Sequence, residues 1–280
     1  MLTRLTPIIL TVILMPAAFA DDALPQPTRE VFNCSADGSK WPYLMQLAEG
    51  DPTAVLIYLH GHYSDETQGM TPGIYEDAFG KLRRECSRRN WAYVCGYYGG
   101  NTWMNQLGED GLADLIGILR GKYPGKKVYL SGGSMGGSSA LVFAVRRPDL
   151  IDGVIALCPA GDMESYYAFA AASDRPVHAN ISAAIRMHYQ IDGHGLATEL
   201  EARSALQHAD RLTMPVVISH GTADESIPID ATRRLVIRLQ ELGGRVDYTE
   251  IAGGGHDAPI LGIDWTPILD FVEAGEPETP

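Results

Sequence analysis

Ser134, Asp224 and His256 are of the types, and stand in the settings, that nucleophilic catalysis requires. Ser134 is the centre of Gly132-Gly133-Ser134-Met135-Gly136, a Gly-x-Ser-x-Gly run. Before it stand the apolar, β-favouring residues Val128-Tyr129-Leu130; after it an alanine- and serine-rich helical run extends from Ser138 to Arg147. Strand, sharp turn and helix in that order hold a serine in a strained conformation that lifts its hydroxyl clear of the sheet. Gly132 and Gly136 are needed because a Cβ there collides with the chain as it doubles back. The helix that starts at the serine aims unpaired N–H groups and a positive dipole end at developing negative charge. A serine hydroxyl is a weak nucleophile near neutrality, so it needs a base within hydrogen-bond reach and an acid to orient that base. His220-Gly221-Thr222-Ala223-Asp224-Glu225 offers the acid, and Gly253-Gly254-Gly255-His256-Asp257 the base. Glu225 is the competing acid, and Asp257 reads as a solvated loop residue.

These loops need elements to carry them. Ala54–Leu59 is an unbroken apolar run of the kind buried on both faces of a parallel sheet, and it stops at His60-Gly61-His62-Tyr63. Further strand-like runs are Trp91–Tyr97, Val154–Leu157, Pro215–Ser219 and Val246–Ile251, with helical spacing over Ile74–Arg89, Gly108–Tyr123, Ala231–Leu242 and Trp265–Val272. Val31–Glu49 reads as a hairpin around Asp37-Gly38-Ser39. This alternation predicts an α/β fold: a mostly parallel central sheet with helices on both faces. From Pro159 to about Met214 the alternation pauses in a mainly helical stretch, expected to be a cap insertion over the strand ends. Loops at the carboxyl ends of parallel strands converge on one crevice, which is where Ser134, Asp224 and His256 are expected to meet.

The loop Tyr97–Met104 follows another strand, so Trp103 is expected to line the substrate pocket, with a buried core tryptophan as the alternative. Tyr166, Tyr167 and Phe169 are candidates for the cap wall of the pocket or for plain core. His60 and His220 read as structural residues at strand ends, and His178, His188, His194 and His208 as ordinary surface histidines of the cap. His60-x-His62 has no third ligand at sensible spacing, so no metal is expected.

The 280-residue chain has a formal net charge of −13, and nothing in it suggests the clustered basic surface that nucleic-acid binding needs. Arg4, the apolar run Ile8–Met15 and Ala18-Phe19-Ala20 read as a signal peptide over residues 1–20, leaving one domain over 21–280. The expected location is therefore secreted or periplasmic, with no stable membrane anchor after cleavage. Export permits disulfides among Cys34, Cys86, Cys95 and Cys158, but the pairing is not readable. Cys86 and Cys95, a close pair in sequence, lie at unequal distances from the turn between them, which counts against their joining.

Taken together, Leu59-His60-Gly61, Gly132-Gly133-Ser134-Met135-Gly136, His220-Gly221-Thr222-Ala223-Asp224 and Gly255-His256 resemble the α/β-hydrolase superfamily. Within it the chain is similar to secreted feruloyl- and acetyl-type esterases and to the catalytic domains of prolyl-oligopeptidase-like enzymes, over roughly Ala54 to Val272. The resemblance implies that Ser134 attacks an ester carbonyl, His256 relays the proton and Asp224 orients the imidazole. It implies an oxyanion hole made by the backbone N–H of Met135 and one from the His60-Gly61 loop, His62 with Tyr63 as competitor. No cofactor is implied. The implied substrate is a small-molecule or polysaccharide-linked ester. A prolyl-oligopeptidase-like peptidase is the alternative, although a chain of catalytic-domain length leaves no room for a gating propeller. A non-catalytic binding protein on the same scaffold is the third reading.

Overall fold

A computed structural model describes residues 24–71, 73–190 and 195–274. The expected signal peptide and His194 lie outside the described residues.

The apolar runs form one eight-stranded sheet in the order β1-β2-β4-β3-β5-β6-β7-β8. Its strands are β1 (Thr28–Asn33), β2 (Lys40–Gln46), β3 (Ala54–Leu59), β4 (Trp91–Gly96), β5 (Lys127–Gly133), β6 (Gly153–Leu157), β7 (Val216–Gly221) and β8 (Val246–Ile251). The hairpin β1–β2 is antiparallel and joins β4 in antiparallel register; β4, β3, β5, β6, β7 and β8 run parallel. β3 sits between β4 and β5, and all its residues are buried. Alternation along β3 sends Val55, Ile57 and Leu59 into one core and Leu56 and Tyr58 into the other.

Those two cores are closed by helices. α2 (Gln106–Lys122), α3 (Met135–Arg146) and α7 (Asp230–Glu241) bury Leu112, Leu141 and Leu235 on the first. α1 (Glu76–Arg88), α8 (Ala258–Leu261) and α9 (Trp265–Glu273) bury Phe79, Ile260 and Leu269 on the second. Full burial of each such side chain stabilises the fold by about 1.5–3 kcal/mol.

The pause after β6 is helical, as its composition implies: α4 (Met163–Ala172), α5 (Pro176–Gln190) and α6 (Leu196–Ala202). Asp162 fastens this cap. Its carboxylate accepts from the Glu164 N–H and from Ser204 Oγ at 2.8 Å, and the same Ser204 hydroxyl accepts the Met163 N–H at 2.9 Å. All four cysteines are buried with free thiols, so Cys86 and Cys95 are not joined. Among the described residues no helix is long and apolar enough to cross a membrane.

Candidate active site

The turn between β5 and α3 is built by glycine. A Cβ on Gly136 would stand 2.0 Å from the Leu59 carbonyl oxygen, and one on Gly132 2.4 Å from the Gly136 carbonyl carbon. Only bare backbone lets α3 start so close to β3. Ser134 itself takes φ 57°, a left-handed conformation that costs a non-glycine residue of order 1–3 kcal/mol. Its surroundings hold it there. The Ser134 N–H donates to the Leu157 carbonyl at 2.9 Å, and its carbonyl accepts the Ser138 N–H and hydroxyl, each at 2.9 Å. Ser134 keeps partial exposure while its neighbours are buried.

The loops after β7 and β8 bring the other two residues to that hydroxyl. His256 Nε2 lies 2.8 Å from Ser134 Oγ, and His256 Nδ1 lies 2.7 Å from Asp224 Oδ2. An ionised carboxylate only accepts, so Nδ1 carries the proton and donates to Asp224. That leaves Nε2 bare, and the Ser134 O–H donates to it. The tautomer is therefore set by the acid, and the base faces the serine.

Asp224 is in a dense cage of donors. Oδ1 accepts the N–H groups of Ser226 and Ile227 at 2.8 and 2.9 Å, and Oδ2 receives a second imidazole, His220 Nε2, at 3.2 Å. Burial alone would push its pKa up. Hydrogen bonds from His220, His256 and the Ile227 N–H outweigh burial and hold the carboxyl well below the usual carboxylate range. Glu225, the competing acid, is 88% exposed in its side chain and faces Arg175 instead. His220 is fully buried at the end of β7; besides Asp224 it reaches Thr232 Oγ1 at 3.0 Å and the Ile227 carbonyl at 2.9 Å. Its structural role, expected from the strand end, thus includes support of the acid.

The loop after β3 runs beside the serine turn, where a Cβ on Gly61 would stand 3.9 Å from the Gly133 carbonyl oxygen. Of the two expected loop donors, the Tyr63 N–H is engaged, donating to Asn101 Oδ1 at 2.8 Å. The His62 N–H has no acceptor among the described residues, and neither does the first-turn N–H of Met135. The His62 ring is held by the cap, with Nε2 2.9 Å from Asn180 Oδ1, and burial lowers its pKa.

Two expectations need correction. Trp103 is 1% exposed and does not line an open pocket: its ring centroid lies 5.3 Å from that of Tyr166 and 6.0 Å from that of His62, and its carbonyl accepts the Tyr189 hydroxyl at 2.6 Å. The cap helices α4 and α5 cover it, a tertiary effect that its position after a strand does not reveal. His178 is likewise no surface residue. It is buried beside Phe169, with ring centroids 5.0 Å apart and Nδ1 2.7 Å from Ser173 Oγ. His208 and His188 are both half-buried; Tyr166 is core, and Tyr167 and Phe169 pack partly buried against it. Asp257 is exposed and accepts the Tyr75 hydroxyl at 2.8 Å.

Among the described residues no group of three His, Cys, Asp or Glu side chains is placed to hold a metal ion. A cavity of about 520 Å³ lies among Lys127, Asp152, Pro215 and Arg245. It sits at the amino ends of the strands, opposite the crevice where such sheets bind ligands.

The family model described as prolyl oligopeptidase family matches residues 102–264, more than half of the chain and a span that contains Ser134, Asp224 and His256. Solved structures share the fold. FphF, a fluorophosphonate-binding serine hydrolase of Staphylococcus aureus, is 16% identical with a TM-score of 0.65, over 89% of this chain and 98% of that one. The S-formylglutathione hydrolase FrmB of the same organism is 17% identical with a TM-score of 0.63, over 88% and 98%. Pyrococcus horikoshii acylaminoacyl peptidase is 17% identical with a TM-score of 0.65, over 85% of this chain but 39% of its own. The fold they share with this chain is that of the α/β hydrolases.

Proposed function

This chain belongs to the prolyl oligopeptidase family of serine hydrolases, and we propose that it is an exported carboxylic-ester hydrolase working through an acyl-enzyme on Ser134. The observation that carries the reading is the unbroken line from Ser134 Oγ through His256 to Asp224, beside two open amides. In the proposed reaction Ser134 Oγ attacks the ester carbonyl and its proton passes to His256 Nε2. The oxyanion is received by the N–H groups of Met135 and His62. Asp224 stabilises the imidazolium, which then returns the proton to the leaving alcohol. Water, activated by the same imidazole, releases the acid.

The ester reading is supported by likeness to hydrolases matched over nearly their whole length, and acetyl or feruloyl esters of carbohydrate by the motif resemblance alone. A peptidase is the second reading, favoured by the family's own name and by the acylaminoacyl peptidase fold. Export rests on the pattern of Arg4, Ile8–Met15 and Ala18–Ala20.

The test compares p-nitrophenyl acetate, methyl ferulate, acetylated xylan and a proline-containing peptide nitroanilide. Turnover of an ester with the anilide untouched supports the proposal and names the acyl class. Turnover of the anilide alone moves the protein to the peptidases, and turnover of none, with the protein folded, points to a binding protein.

A further inference from the structure

Gly61, His62 and Tyr63 present three consecutive amides beside the nucleophile turn, and a loop of this kind has no regular partner for any of them. Two are taken by side-chain carbonyls from different parts of the chain. The Gly61 N–H donates to Gln68 Oε1 at 2.7 Å, and the Tyr63 N–H donates to Asn101 Oδ1 at 2.8 Å. The carbonyls nearby are also occupied. His60 O accepts the Tyr98 hydroxyl at 2.6 Å, and Gly61 O faces His60 Nδ1 at 3.0 Å and the Ser64 N–H at 3.2 Å. Between the two clamped amides, the His62 N–H has no acceptor among the described residues.

We propose that Gln68 and Asn101 are positioning residues that clamp the amides on either side of His62 and so fix the His62 N–H as the loop's oxyanion donor. The inference rests on the reading of Ser134 as nucleophile. Backbone conformation supports it independently. Tyr63 has φ 65°, and a non-glycine residue stays in that region only where its surroundings over-determine it. The Asn101 hydrogen bond is made by the N–H of that strained residue. Without it, Tyr63 relaxes toward an extended conformation and carries the adjoining His62 peptide with it. A donor displaced by about 1 Å costs on the order of 100-fold in rate, because it is aimed at charge that exists only in the transition state.

The test uses Gln68→Met and Asn101→Leu, which keep side-chain size and remove the carbonyl oxygen, assayed on p-nitrophenyl acetate beside Ser134→Ala. Each clamp variant is expected to lose about 10- to 100-fold in kcat with KM within about threefold. Affinity for a trifluoromethyl ketone, whose serine adduct carries an oxyanion, should fall by the same factor. A residue that only stabilised the loop would lower Tm and leave kcat of the folded enzyme and the inhibitor affinity alone. Wild-type kcat in both variants, or a loss seen only in KM or Tm, overturns the clamp. Should Asn101→Leu fail to fold, Gln68→Met decides alone. Retained turnover in Ser134→Ala is a different failure, that of the nucleophile itself.

Discussion

Asp224 has four donors on two oxygens, and two of those donors are imidazoles. That cage keeps it ionised, and ionisation fixes the proton of His256 on Nδ1. Asp224→Asn is close to the same size but can present an N–H to His256, favouring the tautomer with the proton on the serine side. Its expected cost is about 10⁴-fold in kcat; a loss below tenfold would remove Asp224 from the mechanism.

His60 makes a separate prediction, about stability. Burial pushes its pKa down to about 4, from an ordinary value near 6.5. The unfolded chain therefore binds more protons between those values, so stability is full above about pH 6.5 and is lost as pH falls toward 4. The loss from this residue is about 3 kcal/mol. Urea unfolding of wild type and His60→Gln at pH 7 and pH 4.5 checks it: the variant should show the shallower pH dependence, and equal slopes would contradict the assignment.

At this scale Ser134, Asp224 and His256 stand out in the sequence because each lies in a glycine-marked loop after a strand. The contact of His220 with Asp224 and the contacts of Gln68 and Asn101 with the His62 loop do not. Those residue types have many bland uses, and only folding brings their partners near.

The turn from β5 into α3 depends on atoms that are missing. Gly136→Ala forces a Cβ to within 2.0 Å of the Leu59 carbonyl oxygen, backbone that cannot swing away. Gly117, on the exposed side of α2, has nothing within 4 Å of its Cβ position. The same substitution should therefore act in opposite directions. Gly117→Ala should stabilise by about 0.5–1 kcal/mol through helix propensity. Gly136→Ala should destabilise by more than 3 kcal/mol or prevent folding. Denaturant midpoints decide it, and equal effects at the two sites would show that the close approach is not what the turn requires.

Elements were legible where a strand-like run ended at glycine-marked loops, as in β3, an unbroken apolar run, and β8, whose sequence-read limits coincide with the folded ones. The fate of Trp103 was not. The cap helices that bury it are more than 50 residues away in sequence, and α4 reads only as an alanine- and aromatic-rich run. Ser204, fully buried between Asp162 and α4, is the hinge-pin of that cap. Ser204→Ala should cost about 1–3 kcal/mol by leaving the Met163 N–H without its acceptor.

On the scale of the whole molecule, the fold places all three chemical residues at the carboxyl ends of parallel strands, and the cap crosses above them. α5 touches the His62 loop through Asn180 and, through Arg175 just before it, the loop that carries Asp224: Arg175 donates to the Glu225 carbonyl at 3.0 Å. The cap is thus joined to both walls of the crevice, and substrate choice should follow its shape more than the sheet's. This architecture hosts many reactions, so the acyl group has to be found by assay.

The central claim is that Ser134 forms a covalent acyl-enzyme. The direct measurement is intact-mass and peptide-mapping spectrometry after reaction with a fluorophosphonate probe and with p-nitrophenyl acetate, on wild type and Ser134→Ala. The expected result is one adduct, mapped to Ser134 and absent from the variant, with p-nitrophenyl acetate turnover falling by about 10⁴- to 10⁶-fold. An adduct on another residue, or a variant that still turns over ester at the wild-type rate, would contradict the claim.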